Sequence, residues 1–300
     1  MSTLENESLL VAVDVDGTLL DTEFEDVLRT REIEAMDAVR AAGHVLALCT
    51  GRNLNSIRGL LEQSRWAPVD LPMVLLNGAV VFGGRPRRQL ARNILDRELI
   101  LELVRLYREH GTVPMVYGTD DDGGVLHHET RPLNDILGHY LDMRARTVGA
   151  IHRVEDLTDL PWTQALEVGT IDLEQPVRAL SAAIKEKLGG RVKVINTRSL
   201  LGDGKYFWAE SFHASSDKGR GLEILAAECG IPAERSVAIG DNYNDLDMFA
   251  TAGFSVAMAG SPDDVKARAD LVAGPVGSGG AAQILEQIAA GDLPPRPEKR

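Results

Sequence analysis

Two aspartates, Asp14 and Asp16, flank a single valine directly after the apolar run Leu9-Leu10-Val11-Ala12-Val13, and Gly17 and Thr18 follow them. Carboxylates that close repel each other, and burial raises the pKa of at least one. A divalent cation removes the conflict, and an all-oxygen site with few protein donors suits magnesium. The pair is equally able to divide labour, one ionised as a nucleophile and the other protonated as an acid. Gly17 lets the backbone turn sharply and approach a ligand closely. A second acidic pair, Asp241 and Asp245, follows the run Ser236-Val237-Ala238-Ile239-Gly240, with Asn242 and Asn244 between. Thr50-Gly51-Arg52 comes directly after a third apolar run, and Lys218 opens a segment of helical pattern that stops at Gly230.

The elements that must position these groups are legible around them. Apolar runs without helical period predict buried strands over 9–13, 45–49 and 73–76, with helices over 32–42 and 56–63 between them. Strand, helix, strand, helix, strand implies a parallel sheet with right-handed crossovers. In such sheets ligands sit beyond the carboxyl ends of the strands, where the polar groups fall. After about Val81 the pattern changes. Helices are expected over 96–110, 132–140 and 176–188, and strands over 113–117, 124–128, 165–171, 192–196 and 206–210. From Ser216 the first pattern returns, with a helix over 218–229 and strands over 236–239, 254–258 and 270–272. The expected fold is α/β: a Rossmann-like parallel-sheet core formed by 1–82 and 212–300, interrupted by an inserted α+β cap domain over 83–211.

Taken singly, each polar residue also has an ordinary reading. Asp14 and Asp16 could be solvated acids at a strand-end turn, and Asp241 and Asp245 could cap the helix through Met248-Phe249. Lys218 could be a surface lysine, although cations are disfavoured at helix N-termini. Thr50 could be a simple cap, and Asn244 a loop residue. His127-His128 reads as a solvated pair alternating across a strand rather than a metal site. The run Asp120-Asp121-Asp122-Gly123-Gly124 lacks the bidentate acid of a calcium loop and reads as a hairpin turn. Trp208 and His213 read as packing residues or as substrate contacts.

Together the groups form a specific pattern. Asp14-Val15-Asp16-Gly17-Thr18-Leu19-Leu20-Asp21 resembles the first motif of the haloacid dehalogenase-like superfamily. Thr50 corresponds to the second motif, Lys218 to the third, and Gly240-Asp241-Asn242-Tyr243-Asn244-Asp245 to the fourth, with Asn242 where glycine is usual. The large insert between the second and third motifs, and Asn77-Gly78-Ala79, resemble the Cof-like sugar-phosphatase branch.

The resemblance implies a phosphatase working through an aspartyl phosphate, with Asp14 as nucleophile and Asp16 as the acid and base. It implies Mg2+ held by Asp14, the Asp16 carbonyl and Asp241, with Asp245 steadying the metal's water shell. Thr50, Gly51, Lys218 and Asn244 are the expected phosphate-binding residues, and the cap is expected to choose the substrate. The second aspartate separates this pattern from the dehalogenases and transport ATPases of the superfamily, since an alcohol leaving group needs a proton. A phosphomutase of the phosphomannomutase type and a non-catalytic sensor of a phosphorylated metabolite stay open beside it.

The composition narrows the partners. Of 300 residues, 32 are basic and 45 acidic, a net charge of −13, and a polyanion such as DNA meets a repulsive average field. A small phosphorylated metabolite is the expected partner, with no nucleic acid and no membrane, for a monomer or homodimer. Cys49 and Cys229 belong to no metal-ligand spacing and read as small apolar residues. Acids near the start, where a leader needs bases, and the lack of an apolar run near ~20 residues lead to a cytoplasmic expectation.

Overall fold

The computed structural model describes residues 8–22, 25–84, 88–118, 124–145, 150–199, 201–202 and 204–293. The acidic run at 120–123 falls outside these residues. In chain order the elements begin with β1 (Leu10–Val13), α1 (Thr30–Ala41), β2 (Val45–Cys49), α2 (Leu54–Gln63), β3 (Met73–Leu75), β4 (Val80–Phe82) and β5 (Gln89–Arg92). Next come α3 (Arg97–Glu109), β6 (Met115–Gly118), β7 (Val125–Glu129), α4 (Asp135–Arg144), β8 (Ala150–Val154), β9 (Ala165–Leu173), α5 (Glu174–Leu188), β10 (Val192–Arg198) and β11 (Tyr206–His213). The chain closes with α6 (Lys218–Cys229), β12 (Ser236–Gly240), α7 (Leu246–Thr251), β13 (Phe254–Ala257), α8 (Asp263–Lys266), β14 (Leu271–Val272) and α9 (Gly280–Ala290).

Two compact units result. One comprises Met1–Gly51, Leu60–Ala91 and Asp217–Arg300, the other Arg52–Gly59 and Arg92–Ser216. The division lies later in the chain than 82/83 and 211/212: β5 joins the first unit's sheet, which runs β14-β13-β12-β1-β2-β3-β4-β5, and β11, which ends at His213, belongs to the second unit's sheet. Neighbouring strands from β14 to β3 are parallel, whereas β4 returns antiparallel to β3, so the sheet is mixed at that edge.

β1 lies between β2 and β12, and its Leu-Val-Ala-Val sequence is buried throughout, as a strand covered on both faces requires. Leu10 and Ala12 pack with Leu222 and Leu225 of α6 and with Met248 and Phe249 of α7. Val11 and Val13, which alternate with them, are equally buried, and α1 packs against α9.

The second unit carries a sheet of order β10-β11-β9-β6-β7-β8, antiparallel except for the β7–β8 pair. Leu99, Leu103 and Tyr107 of α3 and Val177, Leu180 and Ile184 of α5 form one core with Val116, Val168 and Ala209. Ile136, Leu137, Tyr140 and Leu141 of α4 form another with Met115, Tyr117, Leu126 and Ile171. Trp208 packs edge-on against Tyr140, with ring centroids 4.7 Å apart. His127 and His128 are not solvated as expected: His127 stacks on His152 and meets Trp162 edge-on, and His128 is buried. Burial lowers the pKa of both rings. Among the described residues no helix is long and apolar enough to cross a membrane.

Candidate active site

Where β1 ends, the Asp14 amide still donates to the Ile239 carbonyl of β12 at 2.9 Å. That bond anchors the buried Asp14 carboxylate between the two central strands. Lys218 opens α6, whose N-cap Asp217 accepts from the Arg220 amide at 2.7 Å. Its ammonium is fully buried and donates to Asp14 Oδ1 and Asp245 Oδ1, both at 2.6 Å. A lone cation would be disfavoured at this helix end; two buried carboxylates outweigh that cost.

Asp245 uses both of its carboxylate oxygens. While one oxygen meets Lys218, its Oδ2 accepts from the Asp241 and Asn242 amides at 2.8 and 3.0 Å. It therefore fixes the loop that carries Asp241. Asn242 adopts φ −135°, a conformation open to any residue, so the usual glycine is not needed there. Its side chain accepts from the Tyr243 amide at 2.9 Å.

Gly17 has φ +82°, and a Cβ at that position would collide with the Asp241 carboxylate, so both backbone and space require glycine. In the same turn Asp16 Oδ1 accepts from the Thr22 hydroxyl at 2.7 Å. Thr50 is buried, with its amide donating to Val74 and its carbonyl accepting from the Asn77 amide at 3.1 Å. Gly51 lies against the Asn77 carboxamide, and Asn244 Nδ2 donates to Asn77 Oδ1 at 2.9 Å. The structure thus brings Asp14, Asp241, Asp245 and Lys218 together, and links Thr50, Gly51 and Asn244 through Asn77. The sequence reading gave Asn77 no role; its signal was an Asn-Gly pair directly after a strand.

Burial pushes the Asp14 carboxyl up to about 7, against the pull of Lys218 and with the push of Asp245 and Asp16. Asp241 is raised well above the usual carboxylate range by burial, then by Asp14 and Asp245. Burial alone would lower the Lys218 ammonium, but Asp14 and Asp245 outweigh it and hold it above the usual lysine range. Cys49, one residue before Thr50, is pushed up to about 12 by burial and is no nucleophile.

One ammonium thus faces more acids than it can neutralise. Carboxylate oxygens of Asp14, Asp241 and Asp245 all lie within 4.8 Å of one another. Hard, all-oxygen donors left with excess negative charge fit Mg2+. The Asp16 carboxylate is not part of that group.

The raised acids predict a pH effect on stability without metal. Between its ordinary value of 3.8 and about 7, folded Asp14 keeps a proton that the unfolded chain has lost. Its contribution is full below that window and lost as pH rises through it. His127 and His128, lowered in the fold, act with the opposite sign. In chelator, the thermal midpoint of the wild type should therefore fall between pH 5 and pH 8 more steeply than that of Asp14→Asn. Magnesium should raise the wild-type midpoint more at pH 8 than at pH 5. Equal slopes in the two proteins would show that Asp14 titrates normally.

A family model described as haloacid dehalogenase-like hydrolase matches residues 11–285. A 5-amino-6-(5-phospho-D-ribitylamino)uracil phosphatase of Bacillus subtilis (strain 168) is 27% identical over 94% of this chain and 98% of its own. A pyridoxal phosphate phosphatase of Escherichia coli (strain K12) is 26% identical over 92% of this chain and 97% of its own. Among solved structures, a haloacid dehalogenase-like hydrolase from Bacteroides thetaiotaomicron superposes with a TM-score of 0.75 at 23% identity, covering 94% of this chain and 100% of its own. A subclass IIB sugar phosphatase of the same superfamily superposes with a TM-score of 0.74 at 19% identity, over 95% of this chain and all of its own.

Proposed function

The chain belongs to the haloacid dehalogenase-like hydrolases, and from that premise we propose that it is a magnesium-dependent phosphatase hydrolysing a small phosphorylated metabolite, with sugar phosphates the leading class. The observation that carries this reading is the buried Lys218 ammonium shared by Asp14 and Asp245, beside an oxygen cluster that one cation leaves under-neutralised.

The Asp14 carboxylate attacks phosphorus as the bond to the leaving oxygen breaks, giving an aspartyl phosphate. Asp16 delivers a proton to the departing alkoxide, then takes one from the water that attacks the intermediate, releasing phosphate and regenerating Asp14. The Thr22 hydroxyl on Asp16 Oδ1 orients that carboxyl. Lys218 neutralises charge on the nucleophile and the phosphoryl oxygens, and Thr50 and Asn244 donate to those oxygens. Asp245 acts by fixing Lys218 and the Asp241 loop. Magnesium, held by Asp14, Asp241 and the Asp16 carbonyl, would supply the remaining positive charge over the transferring group.

Related proteins named for a ribitylaminouracil phosphate and for pyridoxal phosphate, and the sugar phosphatase of like fold, define the panel to assay. Phosphate release from sugar phosphates, those two compounds and nucleotides is expected with magnesium and not with chelator, within a narrow group. Release that persists undiminished in chelator would overturn the metal assignment. Conversion of a sugar 1-phosphate to the 6-phosphate without release would make the protein a mutase, and binding without turnover a sensor.

A further inference from the structure

We propose that Asn77 is a further catalytic residue, donating from Nδ2 to the transferring phosphoryl group while its Oδ1 holds Asn244. The inference rests on the phosphatase reading and extends its site to the loop after β3.

Three observations lead to it. Asn77 is 1% exposed, and its Nδ2 is buried without a hydrogen-bond partner, although its backbone amide and Oδ1 are both engaged. Buried donors are almost always paired, so an orphan invites a ligand. Second, Leu76 and Asn77 have φ of 48° and 50°, a left-handed pair of non-glycine residues that costs backbone strain. Such strain persists where the surroundings over-determine it, and the Asn77 amide on the Thr50 carbonyl and the Ala79 amide on the Leu76 carbonyl do so. Gly78 follows at φ +96°, where a Cβ would overlap the Asp217 carbonyl beside Lys218.

Third, the carboxamide's neighbours are the expected phosphate contacts. Nδ2 lies 3.3 Å from where a Cβ on Gly51 would be, and Asn244 is bound at the other side of the same amide. Phosphoryl transfer spreads charge over three equatorial oxygens, and every fixed donor aimed at them acts differentially in the transition state. A strained turn that presents an unsatisfied amide between Gly51 and Asn244 fits that use better than a purely structural one.

Two substitutions separate donation from scaffolding. Asn77→Asp keeps the acceptor for Asn244 and a side chain tolerant of left-handed backbone, but removes the donor. Asn77→Gly keeps the backbone and removes the whole amide. Both are expected to fold, by circular dichroism and thermal midpoint, and to lower kcat ~10²–10³-fold with a smaller change in KM. The decisive comparison adds Asn77→Gly to Asn244→Ala. A direct donor lowers kcat further in the double variant; a double variant no slower than Asn244→Ala alone would overturn the proposal and leave Asn77 as a prop for Asn244. Calorimetric titration with inorganic phosphate and magnesium gives a readout that does not depend on turnover. Weaker phosphate binding by the double variant than by Asn244→Ala alone supports the donor even if no substrate in the panel is hydrolysed, which would count against the phosphatase reading instead. Unchanged phosphate affinity and a kcat within about threefold of wild type in both variants would overturn it.

Discussion

Asp14→Asn is expected to lower phosphate release by at least ~10⁴-fold while the protein stays folded. An amide is a poor nucleophile and cannot form the acyl phosphate, so every later step is lost with the first. The fold should survive because asparagine keeps an oxygen where Lys218 now donates to Asp14 Oδ1 at 2.6 Å. It also removes one acid from a cluster in which Asp14 and Asp241 are both driven toward protonation by burial. Without metal the variant should therefore melt no lower than wild type at pH 8. The measurement is initial-rate phosphate release at saturating magnesium, paired with a thermal melt. Turnover within tenfold of wild type, from a protein shown by mass to retain asparagine, would sink the assignment of Asp14 as nucleophile.

Lys218→Met should damage stability and turnover together. Methionine approximates the lysine stem but carries no charge, leaving Asp14, Asp241 and Asp245 with oxygens within 4.8 Å of one another and no cation among them. Breaking a buried ion pair from one side typically costs about 3–5 kcal/mol, because the abandoned charges stay buried. The loss should be larger at pH 8 than at pH 5, where a carboxylate can take up a proton, and magnesium should recover part of it. Turnover is expected to fall ~10³-fold or more even with magnesium, since the charge facing nucleophile and phosphoryl oxygens is gone. A variant that melts like wild type at both pH values would show that Lys218 is not what compensates these acids.

The catalytic core was legible because its strands are buried on both faces and its polar residues follow them directly. The Leu9–Val13 run reads as a strand from five apolar residues, and Leu10–Val13 form it; the helix from Lys218 to Cys229 was bounded correctly by its sequence. Its stop is Gly230 at φ +66°, a position that favours glycine. Other elements depend on partners far along the chain. β5 is a short edge strand and β4 its short neighbour, and pairing, not composition, defines them. α9 begins Gly-Ala-Ala after Gly279, a sequence that reads as a break. It forms a helix because Ala281, Ala282, Ile284, Leu285 and Ile288 are buried and the helix packs on α1. His127 was read as solvated because its shielding comes from His152 and Trp162, which no local pattern places beside it.

Asn77 escaped for the same reason, since its partner Asn244 is 167 positions away. The departure at Asn242 was visible in the sequence, but its harmlessness rests on an extended φ that only the folded loop reveals.

The place of β1 between β2 and β12 also sets a timetable for synthesis. The second strand follows the first almost at once, but Lys218 is 204 residues beyond Asp14, and β12 comes later still. At ribosomal speeds of about 5–20 residues per second, that interval lasts roughly 10–40 s. Throughout it the nascent chain carries an apolar strand with one unpaired edge and an acid whose counter-charge has not yet been made. Such an edge is a template for misplaced pairing, and a non-local closure of this kind is intrinsically slow. The order of strands that brings the candidate site together therefore also leaves the half-made chain with an open central edge until β12 is made.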